Sequence, residues 1–316
     1  MGADADLKKR GFKRKAPPPP LESEPLEIRT ADGVPLSATV YEPDHSCGTV
    51  DGSAAGGTSR TGTIVMAHAM FARQSAFRWV APAYRDRGWR VVTFDFRGHG
   101  RSPCARYGYD DFVERDLPAV IACVRARSDG PVALLGHSLG GHVALAAQGC
   151  GLVNLDAIVL VASNVWLRDF EPSGPMWGAK RVVLEGFVRT ARRVGKFPAR
   201  ALRMGSDDES LEYVEDLARF AFDGRWVSRD GTRNYLSALT EVRCPIYSIA
   251  SDGDRINARP VSVERMLSRC RGPIHIDRVE KSDDGSRPPG HGALLTTERA
   301  ASAFFRAEAF LRTLVV

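Results

Sequence analysis

Ser138 stands at the centre of Gly136-His137-Ser138-Leu139-Gly140, between the apolar run Val132-Ala133-Leu134-Leu135 and the small-residue segment from Gly141 to Ala147. A serine on a sharp strand-to-helix turn points its hydroxyl away from the backbone. Glycines two positions to either side leave room for that turn and for the helix packed behind it. The start of such a helix directs unpaired N–H groups at charge developing on a bound carbonyl. Five residues of this pattern occur by chance in many chains, and the alternative is a glycine-rich turn that only packs. The strand before it and the helix after it make Ser138 the candidate nucleophile.

A serine hydroxyl is a poor nucleophile at neutral pH and needs a base within hydrogen-bond reach, itself oriented by a third group. The candidate acids follow the apolar strand 246–250, in Ser251-Asp252-Gly253-Asp254-Arg255-Ile256. Asp254, after the glycine that turns the chain, is favoured; Asp252 competes, and both also suit a turn. The candidate base is His291, flanked by Gly290 and Gly292 between the last strand and the last helix. His275 lies within a strand, His137 inside the turn itself, His142 in the helix behind it and His45 in a loop. His99 is a distant alternative as base. Acyl chemistry further needs donors for an oxyanion: the N–H of Leu139 and, from the turn His68-Ala69-Met70-Phe71 after the first parallel strand, that of Met70. A plain strand end is the other reading of that turn.

The order serine, acid, histidine is that of the α/β-hydrolases. Together with His68-Ala69-Met70, the stretch from Asp95 to Ser102 (Asp-Phe-Arg-Gly-His-Gly-Arg-Ser), Gly136 to Gly141, Ser251 to Asp254 and Gly290-His291-Gly292, the chain resembles a serine α/β-hydrolase of the group that contains monoacylglycerol lipases and serine aminopeptidase-like hydrolases. The Asp95–Ser102 stretch is a hallmark of that family, and the resemblance implies a mainly structural role for it, beneath the nucleophile turn. Where the family usually has His-Gly, this chain has His68-Ala69. A positive φ there would cost alanine on the order of 1 kcal/mol.

Hydrophobic patterning supplies elements to hold these residues. An antiparallel edge hairpin is expected from Leu26–Thr30 and Leu36–Tyr41 around Asp32-Gly33. Continuous apolar strands then alternate with amphipathic helices. The strands are at 64–67, 91–94, 132–135, 157–161, 246–250 and 274–276, and the helices at 76–87, 111–127, 138–148, 261–268 and 298–313. This pattern predicts an α/β protein with a doubly wound, mostly parallel sheet and ligands at the carboxyl ends of the strands, and the resemblance implies that it is the α/β-hydrolase fold. The expected domains are a core over 25–165 and 243–316 and a helical cap over 166–242, containing Trp177, Phe187, Phe220 and Trp226. Within the cap, a basic stretch (Lys180, Arg181, Arg189, Arg192, Arg193, Lys196, Arg200, Arg203) precedes an acidic one (Asp207, Asp208, Glu209, Glu212, Glu215, Asp216). Solvated helix faces are the plain reading, and an anion-receiving face the sharper one.

The formal charge of +6 would suggest nucleic acid, but Lys8, Lys9, Arg10, Lys13, Arg14 and Lys15 crowd a tail that runs into Pro17–Pro20. Residues 1–24 read as a disordered basic and proline-rich extension, with Asp6 where myristoylation needs serine or threonine. The stretch 46–62, rich in Gly, Ser and Thr, reads as a long surface loop. No apolar run reaches the roughly 18 residues of a membrane helix. Six cysteines without Cys-x-x-Cys spacing and no export signal favour a cytoplasmic setting.

The expected activity is metal- and cofactor-independent cleavage of a small-molecule carboxylic ester through an acyl-enzyme, without nucleic acid or stable membrane insertion. An ester is favoured over a peptide because the sequence marks no acidic pocket for an amine. The alternatives are an acyltransferase or thioesterase on the same residues, or a ligand-binding member of the fold without turnover. Oligomeric state is left open.

Overall fold

In the computed structural model, residues 23–43, 62–281, 286–296 and 300–314 are described. The expected tail, apart from its last two residues, and nearly all of the 46–62 loop lie outside them. The main sheet has strands β1 (Glu24–Arg29), β2 (Pro35–Tyr41), β3 (Thr63–Ala67), β4 (Arg90–Phe94), β5 (Val132–His137) and β6 (Ala157–Val161), then β9 (Ile246–Ser251) and β10 (Ile274–Val279). A two-stranded ribbon, β7 (Lys196–Phe197) with β8 (Glu209–Ser210), stands apart from it. The helices are α1 (Val80–Arg85), α2 (Tyr109–Asp111), α3 (Leu117–Arg125), α4 (Leu139–Gly149), α5 (Gly174–Val194), α6 (Leu211–Asp223), α7 (Tyr235–Ala238), α8 (Pro260–Leu267) and α9 (Ala301–Arg312).

Spatial order across the sheet is β1-β2-β4-β3-β5-β6-β9-β10. The hairpin pairs antiparallel onto β4, and all pairs from β4 to β10 are parallel. This is the doubly wound, mostly parallel sheet expected. Every residue of β3, β5 and β6 is buried, which is why these strands read as unbroken apolar runs: helices cover both faces. From β3 the chain steps outward to β4 and then crosses back to β5 on the other side. The carboxyl ends of β3 and β5 therefore diverge into a crevice, where ligands bind in open α/β sheets.

Boundaries differ where local chemistry intervenes. The single helix expected over 111–127 is α2, a wider π-helical turn (Phe112–Asp116), then α3. Pro118 at the start of α3 has no N–H to give the carbonyl of Glu114, and the turn before it widens. That turn buries Asp116, which accepts from Arg97 N at 3.0 Å and Arg97 Nε at 2.7 Å. The last strand runs three residues past Ile276.

Between Val161 and Ile246 the chain leaves the sheet and builds α5, the ribbon, α6 and α7. This insertion divides between two cores. Trp177, Leu184, Val188, Phe197 and Val214 form a small apolar cluster of their own, with Phe187 packed on it. Phe220 and Trp226, expected within the cap, instead join Tyr213 and Tyr235 in the main core. Lys180, read as part of a solvated basic face, is fully buried. Its Nζ lies 3.0 Å from Glu171 Oε2, while Arg259, just before α8, reaches Glu171 Oε1 at 2.5 Å.

Removing one member of a buried ion cluster leaves the others uncompensated. Glu171→Ala strands Lys180 and Arg259 together and should cost about 3–5 kcal/mol. Lys180→Met leaves Glu171 its contact with Arg259 and should cost less. Urea titration of both variants checks the order; equal or reversed losses would refute this account.

Candidate active site

Ser138 has φ 50° and ψ −109°, a conformation that a non-glycine residue adopts only when its surroundings enforce it. Its N–H donates to Val161 O at 2.9 Å, and its carbonyl accepts from Ser163 Oγ at 2.7 Å. Both partners come from the neighbouring strand β6 and the residues just past it. The flanking glycines are sterically required. A Cβ on Gly140 would lie 2.2 Å from Ala67 O, and one on Gly136 2.4 Å from Gly141 N. Helix α4 thus starts directly at Leu139, whose N–H has no intrahelical acceptor.

His291 Nδ1 donates to Asp254 Oδ2 at 2.5 Å. The N–H groups of Asn257 and Ala258 donate to the same carboxylate at 2.9 and 3.0 Å. Burial opposes ionisation of Asp254, but His291 and the two N–H groups outweigh it and hold the pKa below the ordinary 3.8. Of the two competing acids, Asp252 instead meets Arg278 Nε at 2.6 Å on the surface. Neighbouring His137 donates from Nε2 to His291 O at 3.3 Å, and burial pushes its pKa down to about 3. It is a neutral brace behind the loop.

His99 is fully engaged elsewhere. Both its ring nitrogens face acceptors, Arg97 O at 3.0 Å and Glu209 Oε1 at 3.1 Å. Burial lowers its pKa, but Glu209 more than reverses this and the net shift is upward.

At the end of β3, the positive φ lies at Phe71 (61°) rather than at Ala69. The chain turns two residues later than the His-Gly comparison suggests, so alanine at 69 carries no left-handed strain. Phe71 N donates to Glu209 Oε1 at 2.6 Å. That takes the Phe71 N–H out of the set of available donors.

Ser138, Leu139, His291, Ala69, Met70 and Phe71 all line one cavity of about 610 Å³. Its opposite wall comes from the insertion: Val183, Leu184, Phe187, Met204, Tyr213 and Leu217. No aspartate or glutamate lines it among the described residues. Two buried groups escaped the sequence reading, Asn164 on the cavity wall and Glu209 away from it. Asn164 gives its Nδ2 to Asn257 O at 3.3 Å, leaving Oδ1 buried with no partner among the described residues. Nor was Glu209 legible as anything but one charge in an acidic run. Asp207, Glu209 and Asp216 are in fact buried and bound to core elements, not solvated. The signal that was present, acidic residues beside serine at a helix start, does not distinguish the two.

A strained serine between strand and helix, a histidine held by a buried aspartate and a crevice at a switch in strand order define an α/β hydrolase. The sequence profile of the alpha/beta hydrolase family matches residues 64–309, and the chain belongs to that family. It is 29% identical over 119 residues to an sn-1-specific diacylglycerol lipase from Danio rerio, covering 37% of this chain and 32% of that one. It is 27% identical over 236 residues to a magnesium-chelatase 30 kDa subunit from Rhodobacter capsulatus, covering 69% and 78%. Among solved structures, an esterase from Pyrococcus furiosus superposes with a TM-score of 0.61 at 17% identity, over 94% of this chain and 92% of that one.

Because ionised Asp254 is favoured in the folded protein, its contribution to stability is present above the ordinary 3.8. It is lost as pH falls through the lower folded value. The stability difference between the protein and Asp254→Asn should shrink as pH is lowered from about 5 towards 3, as measured by urea titration. A difference that grows on acidification would contradict the assignment.

Proposed function

We propose that the protein is a serine esterase. Ser138 attacks the ester carbonyl, His291 accepts the serine proton and returns it to the leaving alcohol, and Asp254 fixes the imidazole with Nε2 free to do so. The N–H groups of Leu139 and Met70 stabilise the tetrahedral oxyanion, and water, deprotonated by His291, releases the acid. The reading rests on one observation: His291, held by Asp254, and the strained Ser138 line the same cavity. Its apolar far wall suits an acyl chain, with the insertion over 166–242 acting as the cap above it. The lack of a lining carboxylate favours an ester over the amino end of a peptide.

A second reading, a ligand-binding member of the fold without turnover, is raised by the long match to a protein named as a chelatase subunit and not as a hydrolase. The two separate in one experiment. The esterase labels with a fluorophosphonate and hydrolyses a chain-length series of p-nitrophenyl esters in preference to the matched anilides. Ser138→Ala should abolish labelling, and Ser138→Ala and His291→Ala should each lower kcat by a factor of about 10³ or more. Labelling that survives in Ser138→Ala moves the nucleophile elsewhere; no turnover across the series by the parent protein supports the second reading.

A further inference from the structure

Phe71 carries a bulky side chain at a positive φ, and each backbone group of that residue is held by the insertion. Its N–H goes to Glu209 Oε1 at 2.6 Å. Its carbonyl accepts from Ser206 N at 2.7 Å and Asp207 N at 3.2 Å. Gly205 approaches so closely that a Cβ there would lie 2.2 Å from Phe71 O. The peptide preceding Phe71 therefore has its orientation set from outside the sheet.

Glu209 is itself fixed. Its side chain is fully buried, with Oε1 also receiving His99 Nε2 at 3.1 Å and Oε2 receiving the Tyr107 hydroxyl at 3.0 Å. His99 belongs to the 95–102 hallmark stretch and faces Arg97 O with one ring nitrogen and Glu209 with the other, which ties that stretch to the insertion. The link thus runs from hallmark stretch through the insertion to the end of β3, and none of its charged groups lines the cavity.

We propose that Glu209 is a positioning residue for the oxyanion site, holding Phe71 in its left-handed conformation and thereby aiming the Met70 N–H at the tetrahedral intermediate. This rests on the esterase reading above. A residue that only anchors the insertion would, when removed, loosen the cavity wall and weaken substrate binding. A residue that positions an oxyanion donor weakens binding of the tetrahedral state selectively.

Glu209→Ala and Glu209→Gln are compared with the parent on a p-nitrophenyl ester. They are also compared for inhibition by an alkyl trifluoromethyl ketone, which forms a tetrahedral adduct, and by the alcohol of matched chain length, which does not. For Glu209→Ala, kcat should fall about 10- to 100-fold with KM changed less than about threefold. Ketone affinity should fall in step with kcat/KM, with the alcohol unaffected. Glu209→Gln, which retains an oxygen for the Phe71 N–H, should recover most of kcat. Should Glu209→Ala not fold, Glu209→Asp keeps the charge near His99 but withdraws the acceptor from Phe71 by one methylene, and carries the same expectation. Equal loss of ketone and alcohol, or unchanged kcat, overturns the proposal. Ser138→Ala is run in parallel: turnover that persists there defeats the esterase reading itself, whereas an inactive Ser138→Ala beside fully active Glu209 variants defeats only this inference.

Discussion

The backbone at Ser138 is held where a non-glycine residue does not rest unaided, and the surrounding sheet is arranged to keep it there. A backbone conformation this sparsely populated costs a non-glycine residue about 1–3 kcal/mol. Here the conformation is bracketed by Val161 O on one side and Ser163 Oγ on the other. Both depend on β6 lying in register beside β5, and that register depends on strands buried on both faces. The absence of side chains at Gly136 and Gly140 lets α4 start at once after the serine. Apolar strands, small residues and a strained turn are thus one mechanical unit, and the hydroxyl at its apex inherits that rigidity.

Much of this was legible in the residues because each signal is local. An unbroken apolar run marks a strand covered on both faces; Gly-x-Ser-x-Gly marks the junction that follows it. Asp254 and His291 were readable because each lies between a strand and the helix after it, Asp254 between β9 and α8 and His291 between β10 and α9, where the fold delivers side chains to a common edge. The choice between Asp254 and Asp252 could be favoured but not closed from spacing alone. It turns on which carboxylate accepts the N–H groups of Asn257 and Ala258, a matter of loop path.

What escaped the sequence was long-range pairing of charge. Lys180 and Glu209 sit in runs that resemble any solvated helix face, yet both are buried against partners outside those runs, Lys180 beside a Glu171 that Arg259 also holds and Glu209 beside the far-removed His99. No periodicity encodes such pairings, since a buried charge looks like an exposed one until its partner is placed. The same holds for Phe71, whose positive φ arises from hydrogen bonds made by residues more than 130 positions later, and not from its own type.

The insertion grips the edge of the sheet that carries Ser138 and Asp254 at two points, Phe71 through Glu209 and the loop after Asp254 through Glu171 and Arg259. Loops above a sheet are usually regarded as interchangeable parts, free to diversify while the scaffold below stays constant. In this chain that modularity is curtailed. A foreign insertion of the right size would bring new walls to the cavity but no carboxylates at these two attachment points, so recombination between relatives would be confined to exchanges that carry the anchors along with the wall. Diversification of substrate preference is then steered toward single side chains on α5 and α6 rather than wholesale replacement.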